Sequence, residues 1–215
     1  MPNWCNNRVV ISHPDRSKME ALVGAIKEGK FLDHICPVPE DLKITAGFLG
    51  ETEAQKELER KEQENLKKYG VKNWYDFCVH YWGTKWDVDP YDPEDVKISE
   101  HGQVEFGFDS AWAPPTGIYE QMVEQGYTVE ATYYEPGMAY VGRCEGSPEF
   151  GFTDDCIDFG GENSKTVRDV IGDELDDEYG ISESMAEYED ENEEDEELTE
   201  WYKEGVDKNN LEPHK

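Results

Sequence analysis

The sequence predicts an α+β fold. Short β-branched runs alternate with stretches at helical spacing, most of the aromatics precede residue 153, and no internal repeat is present. Arg8-Val9-Val10-Ile11-Ser12 has the composition of a first strand. Pro14 and Asp15 end it and offer a helix N-cap. Met19, Leu22, Val23 and Ile26 then recur at helical spacing up to Gly29. Residues 30–95 read as a mostly helical insertion. Phe31, Leu32, Ile35, Pro37 and Pro39 suggest an extended start, Glu53–Tyr69 a charged helix stopped by Gly70, and Asn73 the cap of a short helix. That helix carries Trp74, Phe77, Cys78 and Tyr81 on one stripe and ends at Gly83. The sheet resumes at Val96-Lys97-Ile98, which a turn at His101-Gly102 pairs with Val104, Phe106 and Phe108. Pro114-Pro115 opens a helix through Ile118, Tyr119, Met122 and Val123. A strand over residues 127–134 follows, and a turn at Glu135-Pro136-Gly137 leads into a return strand over 138–144.

The resulting order, β-α-(insertion)-β-β-α-β-β, contains the split β-α-β arrangement of ferredoxin-like folds. The name describes topology only, and no iron–sulfur cluster is expected. Residues 1–152 are expected to form this domain. Residues 153–182 should form a helical segment that docks through Val167, Val170, Ile171 and Leu175, and 183–215 a flexible acidic tail.

Charge narrows the partners. The formal net charge is −31 over 215 residues. From Gly151 onward, 24 acids face 5 bases, a net of −19, and the first 150 residues carry −12. Nucleic-acid binding draws most of its free energy from cations that displace counterions around phosphates. A basic protein is therefore the expected partner, and direct nucleic-acid binding is not. No apolar run approaches the ~20 residues that span a bilayer, and Met1-Pro2-Asn3-Trp4 lacks the features of a signal peptide. A cytoplasmic protein without a membrane partner is expected. Five scattered cysteines, with no Cys-x-x-Cys pair, predict reduced thiols.

Four candidate sites stand beside plainer readings. His34-x-Cys36 and Cys78-x-His80 have metal-ligand chemistry, but residues two apart on a helix diverge by about 200° and Cys78 completes an apolar stripe, so core packing is favoured and no metal or cofactor is expected. Lys85, between Trp82 and Trp86, lacks the glycine-rich cradle of a P-loop. It would hold an anionic or planar ligand, or simply pair with an acid and lie over an indole. Asp109, Trp112 and Glu135 fall at strand ends, where topology would bring them to Lys85 for acid–base work; loop fixing explains them equally. Glu187, Glu189, Asp190, Glu191, Glu193, Glu194 and Asp195, with Trp201 and Tyr202 beyond, would engage a basic partner or only keep the chain in solution.

Several motifs together resemble a known family: Met1-Pro2-Asn3-Trp4-Cys5-Asn6-Asn7, Trp74-Tyr75-Asp76, Trp82-Gly83-Thr84-Lys85-Trp86-Asp87, the run from Phe108 to Pro115, Glu135-Pro136-Gly137-Met138, and the stretch from Leu175 to Glu183. The chain resembles the YubB-like family of bacteriophages and conjugative plasmids over most of its length. Phe77 stands where the pattern has Trp, and Ala113 where it has Ser. The resemblance implies a mobile-element origin and a ferredoxin-like domain, and it implies no activity. The expectation is a non-enzymatic accessory protein that binds a basic host or element protein, for instance to inhibit a nucleic-acid-handling or defence factor. The rival expectation is a small-ligand or nucleotide-like site lined by Trp82, Lys85, Asp109, Trp112 and Glu135.

Overall fold

The computed structural model describes residues 3–192, and the chain divides into two compact units, Met1–Asp158 and Phe159–Lys215. In the first, strand β1 (Trp4–Ser12) buries Cys5, Asn7, Val9 and Ile11 in strict alternation, which commits one face of the strand to the core. Helix α1 (Arg16–Lys27) starts where expected: the Asp15 carboxylate accepts the Ser17 amide at 2.8 Å. It buries Met19, Leu22 and Ile26.

The insertion is helical, as expected, but its start is not extended. Phe31–Ile35 form helix α2, a 3-10 turn follows at Glu40–Leu42, and α3 spans Glu53–Tyr69. Gly70, at φ +77°, closes α3. Asn73 caps α4 (Trp74–Phe77) by accepting the Tyr75 and Asp76 amides, and α4 runs into a π turn over Cys78–Trp82.

The sheet is completed by β2 (Gln103–Ala111), β3 (Thr128–Glu135), β4 (Tyr140–Ser147) and β5 (Gly151–Asp158), with helix α5 (Thr116–Glu124) between β2 and β3. Its order is β2-β1-β3-β4-β5, antiparallel throughout. Strands β2 and β3 therefore run parallel to each other on either side of β1. Helices α1, α2 and α5 contribute Leu22, Phe31, Leu32, Ile118, Tyr119 and Met122 to the same core as Val9, Phe106, Phe108 and Val129. Phe31 meets Phe106 edge-on at 5.3 Å.

Two expectations about the sheet are corrected. Val96-Lys97-Ile98 is not a strand. Val96 is buried, but the segment meets β2 through the turn bond from the Ser99 amide to the Gln103 carbonyl, 2.7 Å, around Gly102. Three residues between the Asp92-Pro93 turn and that Gly102 turn are too few for a ladder, and Pro90 makes an isolated bridge to Phe108 instead. The second correction is β5, which carries the sheet past residue 152 to Asp158.

In the second unit, the helix expected to carry Val167, Val170, Ile171 and Leu175 is two helices, α6 (Val167–Ile171) and α7 (Asp173–Tyr179). Gly172, at φ +85° and ψ 157°, breaks the helical path between them and leaves Val170 exposed. Arg168 joins the two: its guanidinium reaches Asp173, Asp176 and Asp177 at 2.6, 3.0 and 2.7 Å. Asp176 also accepts the Ser182 amide and hydroxyl, both at 2.7 Å. Residues 181–192 are helical, so the acidic stretch begins as helix.

Candidate functional site: an exposed tryptophan–lysine cluster

At one end of the sheet, the loop after Trp82 is pinned from both sides. Gly83 (φ +87°) turns it, and the Thr84 hydroxyl donates to the Ala111 carbonyl at 2.9 Å. Asp87 then reaches the start of α2, where its carboxylate accepts the Leu32 and Asp33 amides at 2.8 and 2.9 Å, and the Val88 amide at 3.0 Å. Burial pushes the Asp87 carboxyl above its ordinary range, against those three amides. Between these anchors stand Lys85 and Trp86.

Trp112 faces them from the end of β2. Its φ is +68°, a conformation unusual for a bulky residue. The surroundings hold it there: its amide donates to the Asn3 carbonyl at 2.9 Å, and its carbonyl accepts the Tyr140 hydroxyl at 2.6 Å. Beneath it, the buried Asn7 donates to Ser110 Oγ at 2.8 Å, and Ser110 donates to the Ala113 carbonyl at 2.7 Å. Asn7 Oδ1 has no hydrogen-bond partner.

These supports present three indoles in a row. Trp4 and Trp86 lie 6.4 Å apart between ring centroids, and Trp86 and Trp112 stack at 6.5 Å and 24°. Their exposures are 45, 40 and 41%. The Lys85 ammonium lies 4.2 Å from the Trp86 centroid, 5.3 Å from Trp112 and 5.5 Å from Tyr75.

The five residues of the expected ligand pocket are not gathered. Trp82 is buried, with its indole N–H on the Cys36 carbonyl at 2.8 Å. Asp109 accepts the Tyr91 hydroxyl at 2.6 Å. Glu135 is fully buried and accepts the Gly137 and Met138 amides, fixing the β3–β4 turn. In register, Asp109 pairs with Asn6, on the face away from the core, while alternation along β3 puts Glu135 on the core face with Tyr133. The two carboxylates point to opposite sides of the sheet, and neither forms an ion pair with Lys85. Only Lys85 and Trp112 of the five meet. The plainer reading of Lys85, an ammonium lying over a neighbouring indole, fits its place over Trp86; sequence reasoning missed Trp4, whose signal was the repetition of Trp at motif ends. Open grooves of about 530 and 870 Å³ lie along Glu130, Glu145 and Phe150 and along Arg8, Lys97 and Glu105; neither is lined by the cluster.

The metal-like spacing dissolves similarly. His34 and His80 are exposed, whereas Cys78 is buried and desolvation pushes its thiol up to about 12. No group of three or more His, Cys, Asp or Glu suited to a metal occurs among the described residues. Of the acidic partner-binding residues, Glu187 and Asp190 are exposed on the 181–192 helix, but Glu189 is engaged. Its carboxylate accepts the Ser164 hydroxyl at 2.6 Å and amide at 2.9 Å, and those bonds hold it below its ordinary range. Glu193, Glu194, Asp195, Trp201 and Tyr202 lie outside the described residues. No helix among the described residues is long and apolar enough to cross a membrane.

The class these features define is a mixed α+β protein with an open, five-stranded antiparallel sheet. No family model matches the chain, and no curated protein matches it. Among solved structures, it is similar to the crystal structure of protein api92 from Yersinia pseudotuberculosis, assigned to DUF1281, at 9% identity and a TM-score of 0.36, covering 72% of this chain and 98% of that one.

Proposed function

We propose that this chain is a non-catalytic accessory protein of a phage or conjugative element that binds a basic protein, with the Trp4–Trp86–Trp112 row as its contact surface. The observation that carries this reading is the combination of three exposed indoles with rigid supports, including the unusual Trp112 backbone. Backbone strain persists only where its surroundings over-determine it, and it clusters at functional sites. Aromatic side chains contribute large contact area and dominate the energetics of interface centres. The carboxylates that would serve catalysis are committed to Tyr91 and to the β3–β4 turn. A net charge of −31 selects cationic partners.

The origin and the fold name belong to the same proposal. The stretches at Trp4, Trp82–Asp87 and Phe108–Pro115, which carry much of the resemblance to the YubB-like family, contribute to this one cluster or its supports. A ferredoxin-like ancestry would make Val96–Ile98 a reduced edge strand beside β2, with β4 and β5 added beyond β3.

An array of fixed-sequence basic, neutral and acidic peptides, probed with the wild-type chain and with the Trp86→Ala/Trp112→Ala double variant, tests this reading. Retention of basic peptides by the wild type, reduced at least tenfold in the variant, is expected. Equal retention by both proteins, or a preference for acidic peptides, refutes it.

A further inference from the structure

We infer that the group recognised at this surface is an arginine side chain, whose guanidinium stacks on the open face of Trp4; this rests on the partner-binding reading above. The row already holds one cation. The Lys85 ammonium lies within the ~6 Å range over which a ring quadrupole attracts a cation, for Trp86, Trp112 and Tyr75 alike. Lys85 does so with no ion pair to an acid among the described residues. The rings, not a carboxylate, hold its charge.

Trp4 extends the same row at 6.4 Å from Trp86, is 45% exposed, and has no cation over it among the described residues. Lys85 serves the Trp86–Trp112 end of the row, and Trp4 stands at the other end. Complementarity selects what covers it. A cationic side chain is drawn by the net negative charge, −12 over the first 150 residues alone, and the neighbouring rings favour a flat, weakly hydrated cation. Guanidinium meets both requirements. An ammonium gives up more hydration for the same charge, a neutral aromatic gains nothing from the field, and a nucleobase carries phosphates that the field opposes.

The test uses the full chain and four labelled probes: octa-arginine, octa-lysine, octa-glutamine and an eight-nucleotide oligothymidylate, titrated by fluorescence anisotropy. Octa-arginine is expected to bind wild type about two- to fivefold more tightly than octa-lysine, the scale of one exposed cation–π contact. Trp4→Ala should bring that ratio close to one while octa-lysine binding changes by less than about twofold. Trp4→Phe, which keeps a ring at the start of β1, should retain most of the ratio and so separates recognition from a folding defect. Equal binding of the two cationic peptides by wild type, or an unchanged ratio in Trp4→Ala, overturns the arginine assignment and leaves the partner-binding reading standing. Binding of neither cationic peptide, or tighter binding of octa-glutamine or the oligonucleotide, overturns both.

Discussion

Replacing Trp112 by alanine and by glycine removes the same indole but leaves two different backbones. At φ +68° a residue with a Cβ is in the left-handed half of conformational space, at a cost of ~1–2 kcal/mol. Alanine keeps that cost; glycine does not. Glycine loses more chain entropy on folding, which returns about 0.4–1 kcal/mol of the advantage. The Gly variant should therefore be the more stable by ~0.5–1 kcal/mol, the reverse of the usual order of the two residues. Both should fall below wild type by ~1–2 kcal/mol, because the indole is partly buried against Trp86 and Lys85. Urea unfolding followed by far-UV circular dichroism reads the difference. With a slope of ~2 kcal/mol per molar urea, the midpoints should differ by ~0.3–0.5 M. An Ala variant as stable as the Gly variant, or more so, would refute the claim that the cluster is held in place by a strained backbone. Both variants should lose the contact surface equally, since neither has a ring.

Asp87→Ala should destabilise the chain by ~2–4 kcal/mol, because three amides at the start of α2 and in the Trp86 loop lose a charged acceptor; a midpoint shift below 0.5 M urea would speak against the cap. In the native state, a thiol reagent should modify exposed Cys156 first, with buried Cys5, Cys78 and Cys144 reacting only on unfolding, which mass spectrometry of timed samples resolves. Ser182→Ala tests linkage. Burial pushes the Asp176 carboxyl up, but the Ser182 hydroxyl and amide and Arg168 outweigh it, leaving it below 3.8. Because the unfolded chain then takes up the proton first as pH falls, the stabilisation is present above the unfolded value and is lost as pH drops through the lowered folded one. The stability gap between wild type and Ser182→Ala should thus hold steady from pH 8 to about 5 and narrow below about 4; a gap that widens in acid would contradict the sign.

What the sequence disclosed follows from how local each signal is. Asp15, Asn73, Gly70 and Gly83 act within a few residues of themselves, so α1, α3 and α4 were legible with their ends. The alternation in β2 and β3 was legible because one face of each is in the core; β1 was legible only in its β-branched half, Arg8–Ser12, since the polar residues Asn6 and Asn7 give no strand signal before it. Helix α2 was not, since its cap is Asp87, more than 50 residues away, and five residues carry too little periodicity to overrule Pro37 and Pro39. Strand β5 was not, since it exposes Thr153, Asp154, Asp155 and Cys156 together and owes its shape to pairing with β4. Val96–Ile98 misled because β-branched composition was present without the length a ladder needs. At the site, Lys85 and Trp112 were found by composition, but their association with Asp109 and Glu135 required knowing the register, which sets those carboxylates on opposite faces.

The cluster also explains how an acidic chain can keep a half-buried lysine on aromatic rings instead of on a carboxylate. The nearby carboxylate of Asp87 is turned inward to α2, and Asp109 is held by Tyr91, so neither reaches Lys85. With no ion pair among the described residues, the ammonium rests on the rings, and on the proposed reading the exposed indoles are the surface that meets a partner. Binding then has two parts with different responses to salt. Attraction to the net negative charge acts at long range and fades as the Debye length falls from about 10 Å at 0.1 M to about 3 Å at 1 M salt. Ring contacts act over a few ångströms and do not fade in that way. A basic partner should therefore retain measurable affinity at 1 M salt for wild type and lose it for Trp86→Ala/Trp112→Ala. If the salt dependence of the two proteins is the same, the indoles contribute nothing and the acids alone account for the attraction.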